Sequence, residues 1–206
     1  MTTTRPVDAA MHRPAPRDRI LAAATGLFYV EGINATGVET IASEAHVSKR
    51  TLYKYFPSKV ALVEQYLTHL REMVVDPRDA QGDGPRERLM QLFAVSRSGD
   101  GRLRGCPFHN AAVEAASAMP EVTEVVHTQK RAFADAIVDL CREYGARDPD
   151  LLGHQIALLY EGAAALSTSL NDVASWVCAR TTVEMLLECA RPDTRSTSLT
   201  ATARDR

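Results

Sequence analysis

The chain has 206 residues, 45% of them hydrophobic and 24% charged, with a net charge of −2, which fits a folded protein of one ordinary or two small domains and not a disordered one. No run of eighteen apolar residues occurs, so no segment reads as a membrane-spanning helix, and the opening MTTTRPVDAAMHRPAPRDR lacks the apolar stretch of a secretory leader. Charge is unevenly spread: residues 1–60 hold eight Lys/Arg against five Asp/Glu, and residues 61–206 hold sixteen against twenty-one, a basic head on an acidic body, as in proteins whose head meets a polyanion.

Residues 1–16 read as a flexible, mildly basic arm. A first helix then carries Ile20, Ala24, Leu27 and Phe28 on one face and stops at Gly32. A short second helix turns Val38, Ile41, Ala42 and Ala45 inward, and Thr36 with Glu39 reads as a capping box at its start. A third starts at the N-cap Ser48 and runs to about Tyr55, where Pro57 ends it and Ser58 caps the next. The fourth buries Leu62, Val63, Tyr66, Leu67 and Leu70, before a Pro/Gly/Asp-rich loop at 76–87. A fifth helix is expected over about 86–97 and a sixth over about 107–118. The seventh has a clean apolar stripe from Val122 to Tyr144; an eighth is expected from about Pro149 to Leu170 and a ninth from Val173 to Ala190. No strand-like alternation appears, so the predicted class is all-α: a helix-turn-helix domain over 17–60, a helical bundle over 61–190, about nine helices in all, and a polar tail over 191–206.

The strongest signal is V-E-T-I-A-S-E-A-H-V-S-K-R-T-L-Y-K-Y-F. Two short helices flank His46-Val47-Ser48; Ala42 allows close packing, and Val47 and Leu52 close a small core. That is the logic of a helix-turn-helix, whose second helix enters the major groove by its N-terminal residues, here Ser48, Lys49, Arg50 and Thr51. Cations there neutralise phosphate or read guanine, and hydroxyls take phosphate oxygens. Over residues 17–67 the chain resembles the DNA-binding region of the TetR family: Phe28, Gly32, Thr36, Ile41-Ala42, Ala45, Val47-Ser48, Leu52-Tyr53, Tyr55-Phe56, Ser58-Lys59 and Leu62 match. The resemblance implies a three-helix head that binds double-stranded operator DNA, a body that takes a small-molecule effector, and a homodimer formed by the last two helices. It places Thr36 and Thr40 near phosphate, Lys49, Arg50 and Thr51 at base-reading positions, Tyr53 and Tyr55 on backbone or a thymine methyl, and Lys59 on phosphate, with Lys54 a further expected DNA contact. One departure is His46, where the family has Gly because the turn needs positive φ; His adopts that region at a cost of roughly 1 kcal/mol.

In the body, Gly162, Ala163 and their neighbours offer a small-residue face for a close helix approach, and Gly162, Ala163, Leu166, Trp176, Val183 and Leu187 are the expected dimer contacts. A largely apolar pocket is expected among Phe93, Cys106, Phe108, Met119, Phe133, Ile137, Leu159 and Tyr160, with His109, Asn110, His127, Gln129 and Glu161 as polar contacts. R-G-C-P-F-H-N-A-A-V-E, residues 104–114, is similar to a G-C-x-x-x-N-x-x-x-E segment of one TetR branch. Some members of that branch sense electrophiles or oxidants through the cysteine. A helix N-terminus with Arg102 and Arg104 nearby is a setting in which a thiol becomes reactive. A more remote alternative is an enzyme using Cys106 with His109, or those two as half a metal site; no triad carboxylate and no second metal-ligand pair accompany them. No cofactor is expected. Four widely spaced cysteines without a C-x-x-C pair fit free thiols in a reducing cytoplasm.

Overall fold

The computed structural model describes residues 13–94, 103–115 and 118–191. Among these there are nine α-helices, one 3-10 turn and no strand: α1 (Pro16–Glu31), α2 (Val38–Glu44), α3 (Lys49–Tyr55), α4 (Lys59–Met73), the 3-10 turn (Pro77–Asp79), α5 (Pro85–Gln91), α6 (Pro107–Ala115), α7 (Pro120–Glu143), α8 (Pro149–Leu170) and α9 (Ala174–Ala190). Five of the helices open on a proline, where its missing N–H has no intrahelical partner to lose and its fixed φ suits the first turn. No described helix is long and apolar enough to cross a membrane. The chain divides into two compact units after Tyr66, inside α4, six residues beyond the expected boundary at residue 60.

The first unit is built on α1. Ile20, Ala24 and Phe28 recur every fourth residue and are fully buried; Leu27 is only half-buried. Ile41, Leu52, Phe56, Leu62 and Val63 complete the core, and each such side chain contributes roughly 1.5–3 kcal/mol on burial. The Phe28 and Tyr66 rings pack at 5.5 Å. α1 ends at Gly32 with φ 96°.

The second unit rests on α7, α8 and α9. Ile137, Leu140 and Cys141 of α7 meet Leu152 and Ile156 of α8, Val183 and Leu187 of α9, and Leu89 and Met90 of α5 in one apolar cluster. α7 and α8 come close at Gly153, where an added Cβ would lie 2.8 Å from Val138 Cα. At Gly162, in the small-residue run expected to face a partner's helix, a Cβ would meet nothing of this chain within 4 Å. α5 stops at Gln91, short of the expected 97, and Phe93 and Ala94 close a turn onto Met90 and Gln91. α6 is described from Pro107 to Ala115; residues 95–102 and 116–117 lie outside the described residues.

Local bonds fix the helix ends. α7 closes in a Schellman turn at Gly145 (φ 81°), with Gly145 and Ala146 N–H donating to Arg142 and Cys141 O. Asp148 caps α8 by accepting from Leu151 N at 3.0 Å. The C-terminus of α9 is held by the α7–α8 junction: Tyr144 Oη donates to Leu187 O, Arg147 Nη2 to Cys189 O and Arg147 N to Ala190 O. Arg191 Nε donates to Tyr144 Oη at 2.8 Å, its guanidinium lying over the Tyr144 ring.

Candidate nucleic-acid interface and the body cleft

The turn between α2 and α3 is set by backbone bonds, and Arg19 Nη1 also donates to His46 O at 3.4 Å. His46 N donates to Ser43 O and Val47 N to Ala42 O, a Schellman motif whose left-handed residue is His46 at φ 51°. This is the conformation that the departure from Gly required. α3 then starts at Ser48, whose Oγ accepts from Thr51 N at 3.0 Å and shares a hydrogen with Thr51 Oγ1 at 2.8 Å. Leu52 and Phe56 point inward and fix the rotation of α3, so the opposite face is open: Lys49, Arg50, Tyr53, Lys54 and Tyr55 are exposed. Tyr53 and Tyr55 stay 40% and 38% exposed, large aromatics left in solvent at the surface that two cations flank. Lys54 Nζ lies 5.8 Å from the Tyr55 ring centroid. Thr40 on α2 is exposed and Lys59 at the start of α4 is half-buried.

Two expectations need correction. Thr36 is fully buried, and its hydroxyl donates to Gly32 O at 2.7 Å, so it ties off the last turn of α1 instead of facing phosphate. The capping box is not made either: the N-cap of α2 is Gly37, without a side-chain cap bond. Glu39 turns to Lys49 and forms an ion pair that bridges α2 and α3. Hydrogen bonding to Lys49 holds the Glu39 carboxyl below its usual range, and the same bond raises the lysine. Sequence reading missed this pair because it assigned Glu39 to local capping; the signal was an acid and a lysine ten residues apart across a turn of known geometry.

Residues 20–66 match the family model of bacterial regulatory proteins, tetR family. The transcriptional activator FasR of Mycolicibacterium smegmatis is 30% identical over 161 residues, covering 75% of this chain and 70% of that protein. The chain belongs to the TetR family. The transcriptional repressor KstR of Rhodococcus jostii is 34% identical over 128 residues, 60% of each chain. Among solved structures, a tetr-transcriptional regulator from Streptomyces avermitilis superposes with a TM-score of 0.75 at 29% identity, covering 86% of this chain and 98% of that one. A TetR-family transcriptional regulator from Streptomyces coelicolor gives 0.76 at 26% identity, covering 86% and 96%. The chain is thus a helix-turn-helix transcriptional regulator of that family.

In the body of this TetR-family chain the expected pocket residues separate into three groups. Phe93, Phe133, Tyr160 and Trp176 pack on one another, with Phe133–Tyr160 centroids at 4.8 Å, Tyr160–Trp176 at 5.2 Å and Phe93–Tyr160 at 5.9 Å. Ile137 and Phe108 are buried and Leu159 is packed on the same core. These side chains, expected as apolar pocket liners, pack against one another and the core. Burial is the main cause that pushes the Tyr160 hydroxyl up to about 12. A second group lines a shallow cleft of about 130 Å3: Gly105, Cys106, His109 and Asn110 at the start of α6, against Ala164, Ala165, Thr168 and Ser169 of α8. Asn110 Nδ2 donates to Arg104 O at 2.8 Å, closing the loop before α6. The third group lies apart: His127 is exposed, and Met119 and Gln129 are half-buried.

Beside the cleft, Lys130 Nζ sits 3.4 Å from Cys106 Sγ and 2.5 Å from Glu161 Oε1, while His109 Nδ1 is 4.0 Å from Glu161 Oε2. The sulfur meets a lysine, not the histidine that the enzyme alternative required. No group of three His, Cys, Asp or Glu among the described residues could hold a metal. Arg102 lies outside the described residues. The expected dimer contacts also divide. Ala163, Val183 and Leu187 are buried in the chain's own core and Trp176 sits in the aromatic cluster, whereas Gly162 and Leu166 are exposed. The exposed apolar residues of α8 and α9 are Leu151, Leu158, Leu166 and Leu170, and Val177 and Met185.

Proposed function

We propose that the chain is a ligand-released repressor that binds palindromic operator DNA as a homodimer. The observation that carries the reading is the exposed face of α3: three cations and two tyrosines presented on a short helix whose opposite side is locked by Leu52 and Phe56. Such a helix fits the major groove, and a symmetric pair spaced by one helical turn, about 34–36 Å, reads two half-sites. Support for the pair comes from α8, where Leu151, Leu158, Gly162 and Leu166 fall within one exposed stripe, and from Val177 and Met185 on α9. Two copies of those helices make a four-helix bundle, which buries the stripes. FasR is named an activator and KstR a repressor, so the sign of regulation rests on measurement. Fluorescence anisotropy with the DNA upstream of the gene tests the reading: binding that prefers a palindrome and weakens steeply with salt is expected, and salt-independent or absent binding overturns it.

The effector half of the proposal rests on the aromatic cluster and cleft. A drug-sized ligand needs roughly 300–1,000 Å3, more than the cleft offers, so effector binding requires the cluster to part. A ligand that prefers the parted form shifts the population toward it by its differential affinity. The predicted effector is small and largely apolar. A second reading is favoured by one contact, Lys130 Nζ at 3.4 Å from Cys106 Sγ: a cation beside a half-buried thiol suits a regulator switched by electrophiles at that sulfur. Under it, Cys106→Ser binds DNA as the parent does and is not released by a quinone. Release of the variant by quinone removes the thiol reading and leaves the effector reading standing.

A further inference from the structure

The Glu39–Lys49 pair lies on the face proposed to meet DNA, yet it places an anion there. Its side chains are 69% and 52% exposed, and pairs so exposed contribute little to stability. Its effect therefore has to be sought in what α3 presents to a ligand. Lysine is a flexible point charge with three donor hydrogens. Tied to α2 through Glu39, the ammonium of Lys49 loses much of its rotamer freedom and keeps donors in reserve. It also loses its net charge as seen by DNA, because the carboxylate travels with it. A neutral pair releases no counterion when it meets a phosphate. What remains favourable for Lys49 is hydrogen bonding to base edges, above all the O6 and N7 acceptors of guanine.

We propose that Glu39 sets the specificity of the DNA-facing surface, converting Lys49 from a phosphate contact into an oriented base-reading donor and leaving charge neutralisation to Arg50 and Lys54. This rests on the DNA-binding reading above and extends it to a residue that the helix-turn-helix pattern does not single out. Glu39 acts through Lys49 and is a positioning residue.

The experiment compares the full-length chain with Glu39→Gln, Lys49→Gln and the double variant. Anisotropy is read between about 50 and about 200 mM salt on two duplexes: one selected by the parent protein from a random-sequence pool, and one of random sequence. In Glu39→Gln the freed ammonium of each protomer takes a phosphate, so the salt slope of the dimer steepens by about 1.8 and affinity falls about 12-fold more than the parent's across that range. Binding to the random duplex tightens, and the ratio of selected to random affinity drops. In the Lys49→Gln background the Glu39 change leaves the salt slope unaltered. Equal slopes in the parent and Glu39→Gln overturn the inference, as does a slope change that persists without Lys49, which would mark simple repulsion by the carboxylate. A parent protein that binds neither duplex sinks the regulator reading itself, an outcome distinct from both. Circular dichroism verifies that the four proteins share one fold.

Discussion

His46 shows how a single side chain records a backbone demand. It stands at φ 51° in the Schellman turn ahead of α3, a region that a Cβ makes costly by about 1–2 kcal/mol. His46→Gly is expected to raise stability in urea titrations by about 1 kcal/mol, whereas His46→Val lowers it, since a β-branched residue there is a true outlier. The demand was legible through the resemblance, in which Gly stands at this turn position. The orientation of Thr36 was not. A hydroxyl one residue before a helix can cap it or tie off the preceding one, and only the placement of α1 chose Gly32 O. The cysteines divide on burial. Burial pushes the Cys141 thiol from 9.0 up to about 12, and Tyr160 from 10.0 up to about 12. Both groups hold their protons more tightly folded than unfolded, so stability is full below about pH 9 and declines as pH rises toward about 12. An alkaline titration followed by near-UV circular dichroism reads this directly. Iodoacetamide at neutral pH should label the exposed Cys178 and Cys189 first and Cys141 only on unfolding.

At the level of elements, α7 and α8 meet through Gly153, and that contact has no room for a side chain. Gly153→Ala puts a methyl against Val138 backbone, which trimming Val138 cannot relieve; overpacking of this kind costs about 1–3 kcal/mol, measurable as a fall in the thermal midpoint. The lengths of α7, α8 and α9 were legible because proline starts and the 3.6-residue stripe bound them. Which glycine brought helices together was not, since Gly153 and Gly162 both sit on apolar helical faces and only the neighbour's position distinguishes them. The same ambiguity moved Val183 and Leu187 from the expected partner-facing side into the core: α9 carries apolar residues on both faces, and the pattern does not say which is turned inward. The exposed stripe gives a sharper test. Leu158→Glu, at a residue 73% exposed, leaves the fold intact and shifts sedimentation toward monomer; an unchanged sedimentation profile removes that stripe from the dimer proposal.

Across the whole molecule, the class of protein was readable from about fifty residues, while the packing of the body's aromatic side chains was not. The helix-turn-helix is encoded locally, by caps and a turn. A pocket is encoded by distances between α5, α7, α8 and α9, which no periodicity reports. Phe133, Tyr160 and Trp176 come from three separate helices and Phe93 from the turn after α5, and they pack into one cluster. Trp176 is the single tryptophan of the chain, so its emission reports on that cluster without interference. An apolar effector that parts the rings shifts the emission and releases DNA over the same concentration range; release with unaltered emission would place the effector elsewhere.

The hold on the last turn of α9 has a consequence for how such a body can move at all. Its terminal carbonyls are occupied by Tyr144 and Arg147, with Arg191 folded back over the same tyrosine. A helix stapled there cannot slide along its axis without surrendering three bonds together. Deformation of the body therefore hinges about this fastened corner, and amide exchange should be slowest beside it.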